Sequence, residues 1–178
     1  MIRLFAAIAI PGDVAQTLAR CQGGLPGVRW RPVESLHITL RFVGETPENQ
    51  ADDLDGELSR VIAQPFGVRI AGVGTFGEGD DIDALWAGVD GGEPLARLAS
   101  RCETAARRAG LKPETRRWRP HVTLAYVRRI DPLSVATWVQ AHSLLTVAPF
   151  TISRFGLYSS WRGEDGAVYR LERSYPLG

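Results

Sequence analysis

Two periodicities take turns along this chain. Residues 2–10, 36–43, 66–73, 82–89, 122–127, 150–158 and 167–171 are short apolar or alternating runs rich in branched and aromatic side chains, the pattern of strands. Between several of them, apolar residues recur every three or four positions. The clearest case is residues 94–109, where Leu95, Leu98, Ala99, Cys102, Ala105, Ala106 and Ala109 mark one helix face and Gly110 ends the run. Shorter helices are predicted over residues 13–21 and 132–141. Another opens at Thr46-Pro47, with Thr46 as N-cap, Pro47 at the first helical position, and Leu54, Leu58, Val61 and Ile62 as its apolar face. Consecutive strands with helices interspersed predict an α+β layer fold, not a doubly wound sheet. No low-complexity linker divides the chain, so residues 1–178 are expected to form a single domain.

The N-terminal apolar stretch ends at once in Pro11-Gly12-Asp13 with no small-residue cleavage site after it, which reads as a buried first strand and not a leader. No apolar run approaches the roughly 20 residues of a membrane span. A cytoplasmic protein is expected, with Cys21 and Cys102 as reduced, buried hydrophobes. With 21 Lys and Arg against 20 Asp and Glu, the chain is less basic than proteins that coat long nucleic acid. A local encounter with an anion stays open. From residue 107 to 129 the bases Arg107, Arg108, Lys112, Arg116, Arg117, Arg119, Arg128 and Arg129 face a single acid, Glu114. Near-neutrality therefore hides a positive segment.

That segment brackets half of a repeat. Residues 37–40 read His-Ile-Thr-Leu and residues 121–124 read His-Val-Thr-Leu, and the chain has only three histidines. A Thr two places after a His is roughly a one-in-twenty accident, so two matches by chance are on the order of one per cent. In a strand, His37 and Thr39 point one way while Ile38 and Leu40 point the other, and His121 and Thr123 do the same against Val122 and Leu124. Two such strands facing each other line one groove with two imidazoles and two hydroxyls. One imidazole can take a proton from an attacking oxygen and the other can give one to a leaving oxygen. The hydroxyls can donate to phosphate oxygens as charge builds up. His142 has no Thr partner and is read as the end of a helix.

Other signals are weaker. Residues 72–77 match the Gly-x-Gly-x-x-Gly fingerprint, but Glu78-Gly79-Asp80-Asp81 follows where a phosphate-binding helix would start, so a flexible loop between strands is predicted. The acids of 78–83 lack the calcium-loop pattern, and no three-ligand zinc spacing, Gly-x-Ser-x-Gly elbow or Gly-Lys-Ser/Thr loop occurs. The acidic run 48–57 reads as a solvated helix surface. Trp30 and Trp118 are candidates to stack on a base.

At these residues the chain resembles the 2H phosphoesterase superfamily, named for two His-x-Thr/Ser-x motifs. It is most similar to its RNA 2′,3′-cyclic phosphodiesterase, or 2′-5′ RNA ligase, family. The likeness runs from Arg3-Leu4-Phe5-Ala6-Ala7-Ile8 through Ser35-Leu36-His37-Ile38-Thr39-Leu40 and Leu85-Trp86-Ala87-Gly88-Val89 to Arg119-Pro120-His121-Val122-Thr123-Leu124-Ala125. It closes on Leu157-Tyr158-Ser159-Ser160 and Gly166-Ala167-Val168-Tyr169. The resemblance implies a bilobal fold with two antiparallel sheets around a central cleft and helices outside. It implies hydrolysis of RNA 2′,3′-cyclic phosphate ends to 2′-phosphomonoesters without metal or cofactor. His37 would be the proton donor to the leaving 3′ oxygen, His121 the base that activates water, and Thr39 and Thr123 the phosphate holders. Where the family often carries Arg after the Leu-Ala of the second motif, this chain has Tyr126. The substrate-binding candidates are therefore Arg41, on the His37 face by alternation, with Arg119, Tyr126, Arg128 and Trp30. The expected partners are RNA ends or small cyclic nucleotides, with no membrane, and a monomer. The reverse reaction, 2′-5′ ligation, and a non-catalytic RNA or nucleotide binder are the competing readings.

Overall fold

A computed structural model describes residues 1–163 and 166–178. Among these, nine strands and four helices follow in the order β1 (Ile2–Ala9), α1 (Gly12–Ala19), β2 (Arg29–Trp30), β3 (His37–Thr46), α2 (Glu48–Leu58), β4 (Phe66–Phe76), β5 (Ala84–Asp90) and α3 (Gly92–Arg108). Then come β6 (His121–Tyr126), α4 (Pro132–His142), β7 (Thr146–Ile152), β8 (Arg154–Gly163) and β9 (Gly166–Pro176). The α+β expectation holds. Every strand pairing is antiparallel, in the order β7-β4-β5-β6-β3-β1-β8-β9, with β2 added alongside β6.

The two expected sheets are the halves β7-β4-β5-β6 and β3-β1-β8-β9. They join where Ile38 of β3 pairs with Val122 of β6. The path is strongly curled, and connectivity explains why. β7 is one edge of the path and β8 lies next to the other, yet only Ser153 separates them in sequence. One residue reaches at most about 3.6 Å, so the two ends of the path must meet. The Leu177 amide donates to Ser153 O at 2.9 Å and the Gly178 amide to Ala63 O at 2.9 Å, fastening that closure.

The core follows from the sequence periodicities. Leu95, Leu98, Ala99, Cys102, Ala105 and Ala106 of α3 are buried, and α3 packs on β3 and β4. Ile38, Leu40, Val122 and Leu124 are at most 2 % exposed in the same core. Cys102 lies within it, and burial pushes its thiol up to about 12, so it is an inert hydrophobe there. No described helix is long and apolar enough to cross a membrane.

Several local expectations are corrected. Pro47, not Thr46, is the N-cap of α2, and Thr46 is a buried residue of β3 whose hydroxyl donates to Gly44 O at 3.0 Å. α2 ends at Leu58, so Val61 lies beyond it and Ile62 is 74 % exposed. Residues 72–77 lie largely within β4 and no α-helix follows them. The glycines serve close packing: a Cβ on Gly74 would run into the Trp86 ring, and Gly77 has φ +79° with the Asp81 carbonyl occupying the space its Cβ would need. The run 150–158 is two strands, because the chain changes sheet ends at Ser153. The predicted turn at residues 163–166 has its two central residues outside the described residues.

Candidate active site

Each His-x-Thr-Leu motif opens a strand. His37 starts β3 after a short helical turn at Val33–Ser35, and His121 starts β6 after Pro120. The antiparallel pairing of Ile38 with Val122 sets His37 beside Thr123 and Thr39 beside His121, so the motifs meet about a local twofold axis. With Ile38 and Val122 turned to the core, both imidazoles and both hydroxyls share the opposite face. The four are half-buried, and neither Thr hydroxyl has a protein hydrogen-bond partner among the described residues.

The two motifs repeat each other further than the sequence suggests. Both show the same run of burial from the His onward, with the residue after the Leu also buried and the next exposed. Each contains a register shift: Ala6 and Ala7 pair with Arg41 and Thr39, skipping Leu40, while Leu85 and Trp86 pair with Ala125 and Thr123, skipping Leu124. These bulges reverse the alternation past each Thr. Arg41 therefore turns to the helix side, away from His37, which overturns its sequence-based assignment. Its guanidinium pairs with Glu103 of α3, reaches Glu114 at 3.9 Å, and donates to Lys112 O at 2.6 Å. The same bulges bring Phe42 and Tyr126 onto the site face as exposed aromatics. Phe42 pairs with Phe5, whose ring is 4.9 Å from His37.

The histidines are held alike. Nδ1 of His37 is 2.7 Å from Ser35 O, and Nδ1 of His121 is 2.7 Å from Arg119 O. A carbonyl only accepts, so each neutral ring carries its proton on Nδ1 and presents Nε2 as the free base. Burial holds His37 down to about 4; the Ser35 hydrogen bond opposes this, and the charges of Arg31 and His121 add smaller lowering contributions. The Ile38–Val122 pairing sets the two rings diagonally across one face, and the His121 charge adds a small lowering at His37. His121 is lowered too, by burial first and then by Arg119. An empty site thus disfavours an imidazolium at either position. Aromatic rings brace both: Tyr169 stands edge-on to His37 at 5.2 Å, and Phe76 edge-on to His121 at 4.7 Å.

The remaining candidates divide. Arg119 is exposed beside His121, its guanidinium 5.7 Å from the Trp86 ring centroid. Tyr126 is exposed on the site face. Trp30 is half-buried, packed on Trp138 at 5.7 Å and against the core, and Arg128 is an exposed residue beyond β6 with no hydrogen bond or ion pair among the described residues. Trp118 donates its indole N–H to Thr39 O at 3.0 Å, tying the loop before β6 to β3. Two site residues escaped the sequence reading. Tyr169 comes from β9, 132 positions after His37, and Arg31 is a buried arginine behind Tyr126 and Tyr169. The signal for Arg31 was its place six residues before His37, which lacks meaning until β2 pairs with β6. Among the described residues no group of three or more His, Cys, Asp or Glu is arranged to hold a metal ion.

A curled antiparallel sheet with paired His-x-Thr strands at its centre is the architecture of a phosphoesterase-like α+β class. Residues 10–164 match the family model described as the 2′-5′ RNA ligase superfamily, and the chain belongs to that superfamily. Among similar proteins is an RNA 2′,3′-cyclic phosphodiesterase of Archaeoglobus fulgidus, 28 % identical over 172 residues and covering 95 % of this chain and 97 % of that one. An RNA 2′,3′-cyclic phosphodiesterase of Thermus thermophilus is 34 % identical, covering 99 % of this chain and 90 % of its own. A crystal structure of a Thermus thermophilus protein superposes with a TM-score of 0.80 at 25 % identity, covering 98 % of this chain and 97 % of that one.

Proposed function

We propose that this chain hydrolyses RNA 2′,3′-cyclic phosphate ends to 2′-phosphomonoesters, with His121 as general base and His37 as general acid. The observation that supports it most is the juxtaposition of two His-Thr pairs on one sheet face across the Ile38–Val122 pairing. Superfamily membership and the names of the relatives supply the reaction class. His121 Nε2 takes a proton from water as the water oxygen bonds to phosphorus. The phosphorus–O3′ bond breaks, and His37, protonated on Nε2, delivers a proton to O3′. The products are a 2′-phosphomonoester and a free 3′-hydroxyl. Thr39 and Thr123 donate to the non-bridging oxygens.

The free-state bias against imidazolium fits this scheme, because an anionic phosphodiester between the rings favours the charged form of His37 that must donate. Metal and cofactor have no part in the proposed steps, and the chain is proposed to act as a cytoplasmic monomer on RNA ends or small cyclic nucleotides. The test is incubation with 2′,3′-cyclic AMP and a cyclic-phosphate oligonucleotide, with the product isomer read by ³¹P NMR. A 2′-phosphate formed in EDTA is expected. His37→Ala and His121→Ala should each lose about 10²- to 10⁴-fold in kcat while remaining folded. Near-normal turnover in either variant overturns the two-histidine scheme. A joined product when a 5′-hydroxyl acceptor is supplied assigns the ligation direction to the same pair.

A further inference from the structure

Two arginines are buried in this protein, Arg31 at 7 % exposure and Arg41 at 8 %. They differ in how their charge is met. Arg41 lies against Glu103 and Glu114 and donates to a carbonyl. Arg31 has no carboxylate within ion-pairing distance among the described residues, and its Nη2 is buried without a hydrogen-bond partner. A guanidinium cannot shed its proton to escape this cost, so an unmatched buried one calls for an anion from outside.

Its position is fixed from both sides. The Arg31 amide donates to Leu124 O of the second motif at 2.8 Å, and Gln22 Nε2 donates to Arg31 O at 2.8 Å. The guanidinium lies 5.0 Å from the Tyr169 ring centroid and 5.8 Å from that of Tyr126. Tyr169 also stands against His37, and the Arg31 charge is felt at His37. Aromatic faces hold a guanidinium in place without neutralising it. The cation is therefore built in beside the acid histidine and left with donors to spare.

We propose that Arg31 binds the reacting phosphate, donating from its guanidinium to a non-bridging oxygen between His37 and Thr123. The assignment rests on the function proposed above and adds to it a cation that neither motif contains. In the cyclic phosphate a single anionic group is present. In a longer RNA the next backbone phosphodiester offers the same chemistry, and a mononucleotide separates the two sources.

The experiment compares the unmutated protein with Arg31→Met and Arg31→Lys, using inorganic phosphate by calorimetry and kcat/KM on 2′,3′-cyclic AMP and on a cyclic-phosphate dinucleotide. In Arg31→Met, phosphate affinity is expected to fall at least about tenfold and kcat/KM on the mononucleotide about 10²-fold or more, with Arg31→Lys between the two. In the unmutated protein, the Arg31 side-chain N–H resonance should shift on phosphate addition while that of Arg41 does not, a readout that survives any folding defect in the variants. Unchanged phosphate affinity in a folded Arg31→Met, an unmoved Arg31 resonance, or a loss confined to the dinucleotide overturns the assignment. Arg31-dependent phosphate binding with no turnover of any cyclic phosphate sinks the proposed function and leaves the anion site standing. Turnover that is indifferent to Arg31 does the reverse.

Discussion

At the residue scale, the two histidines set how the reaction responds to pH. Both free-state values lie below the ordinary imidazole value, His37 at about 4. The scheme needs His121 neutral and His37 protonated. The pH profile of kcat/KM reports groups in the free enzyme, and that of kcat reports the bound complex. With both free-state values lowered, the kcat/KM optimum is expected below about pH 6.5, the ordinary imidazole value, falling on the acid side as His121 gains its proton and on the alkaline side as His37 loses its own. Bound phosphate raises both values, so the kcat profile should sit at higher pH. Matched rate profiles from acid to mildly alkaline pH test this, and coincident optima at or above the ordinary imidazole value contradict it. This scale was legible in the sequence at His37, Thr39, His121 and Thr123, because four side chains at spacing two need only a strand to share a face. Arg31 was not legible, since nothing local marks an arginine whose counter-charge is missing; only the tertiary structure shows that no acid among the described residues meets it.

At the element scale, reading stopped at the bulges. Strict alternation put Arg41 with the site residues, and the skipped Leu40 reversed it. Neither Thr-Leu-Arg nor Thr-Leu-Ala signals a bulge, which arises from how β3 fits β1 and how β6 fits β5. Thr46-Pro47 misled for a related reason: its hydroxyl closes on Gly44 O, so no cap is left for α2. Placed on the helix side, Arg41 has a structural duty, joining β3 to α3 through Glu103 and to the loop before β6 through Lys112 O and Glu114. Arg41→Met strands two carboxylates that retain partial contact with water, at 27 % and 35 % exposure. A cost of about 2–3 kcal/mol is expected, below the range for fully buried pairs. Urea unfolding measures it. In the folded variant kcat/KM should stay within about twofold, the opposite pattern to Arg31→Met, which strands no carboxylate among the described residues. A large kinetic loss in a stable Arg41→Met places Arg41 in the site after all.

At the scale of the whole molecule, curling the sheet is what lets β9 reach the first motif. Among the described residues β9 pairs only with β8, yet it delivers Tyr169 to His37 and, at its far end, Tyr175 to α2. The Tyr175 hydroxyl donates to Asp55 Oδ1 at 2.6 Å, joining residues 120 apart in sequence, and the Asp55 carboxylate also receives Arg173 Nε at 3.2 Å. Burial and the adjacent Asp55 both push the Tyr175 phenol upward, so it stays a donor across the physiological range. The order of the helices and most strands was readable from sequence, but β2, the division of 150–158 into β7 and β8, and hence this closure were not, because the closure depends on a single residue at Ser153 carrying the chain from one end of the path to the other. Tyr175→Phe removes the donor and leaves the ring packed on Phe155 at 4.9 Å. Since Asp55 keeps Arg173 and access to water, the loss should be about 1–2 kcal/mol, toward the low end for a hydrogen bond to a charged acceptor. Chemical denaturation of Tyr175→Phe beside Asp55→Ala and the double variant isolates the pair. A coupling near zero would mean that the Tyr175–Asp55 bond adds nothing to the other fastenings of the C-terminal strand, its ladder with β8 and the backbone bonds to Ser153 and Ala63. A coupling of about 1 kcal/mol or more, with kcat unchanged, shows the closure holding the sheet without touching the chemistry.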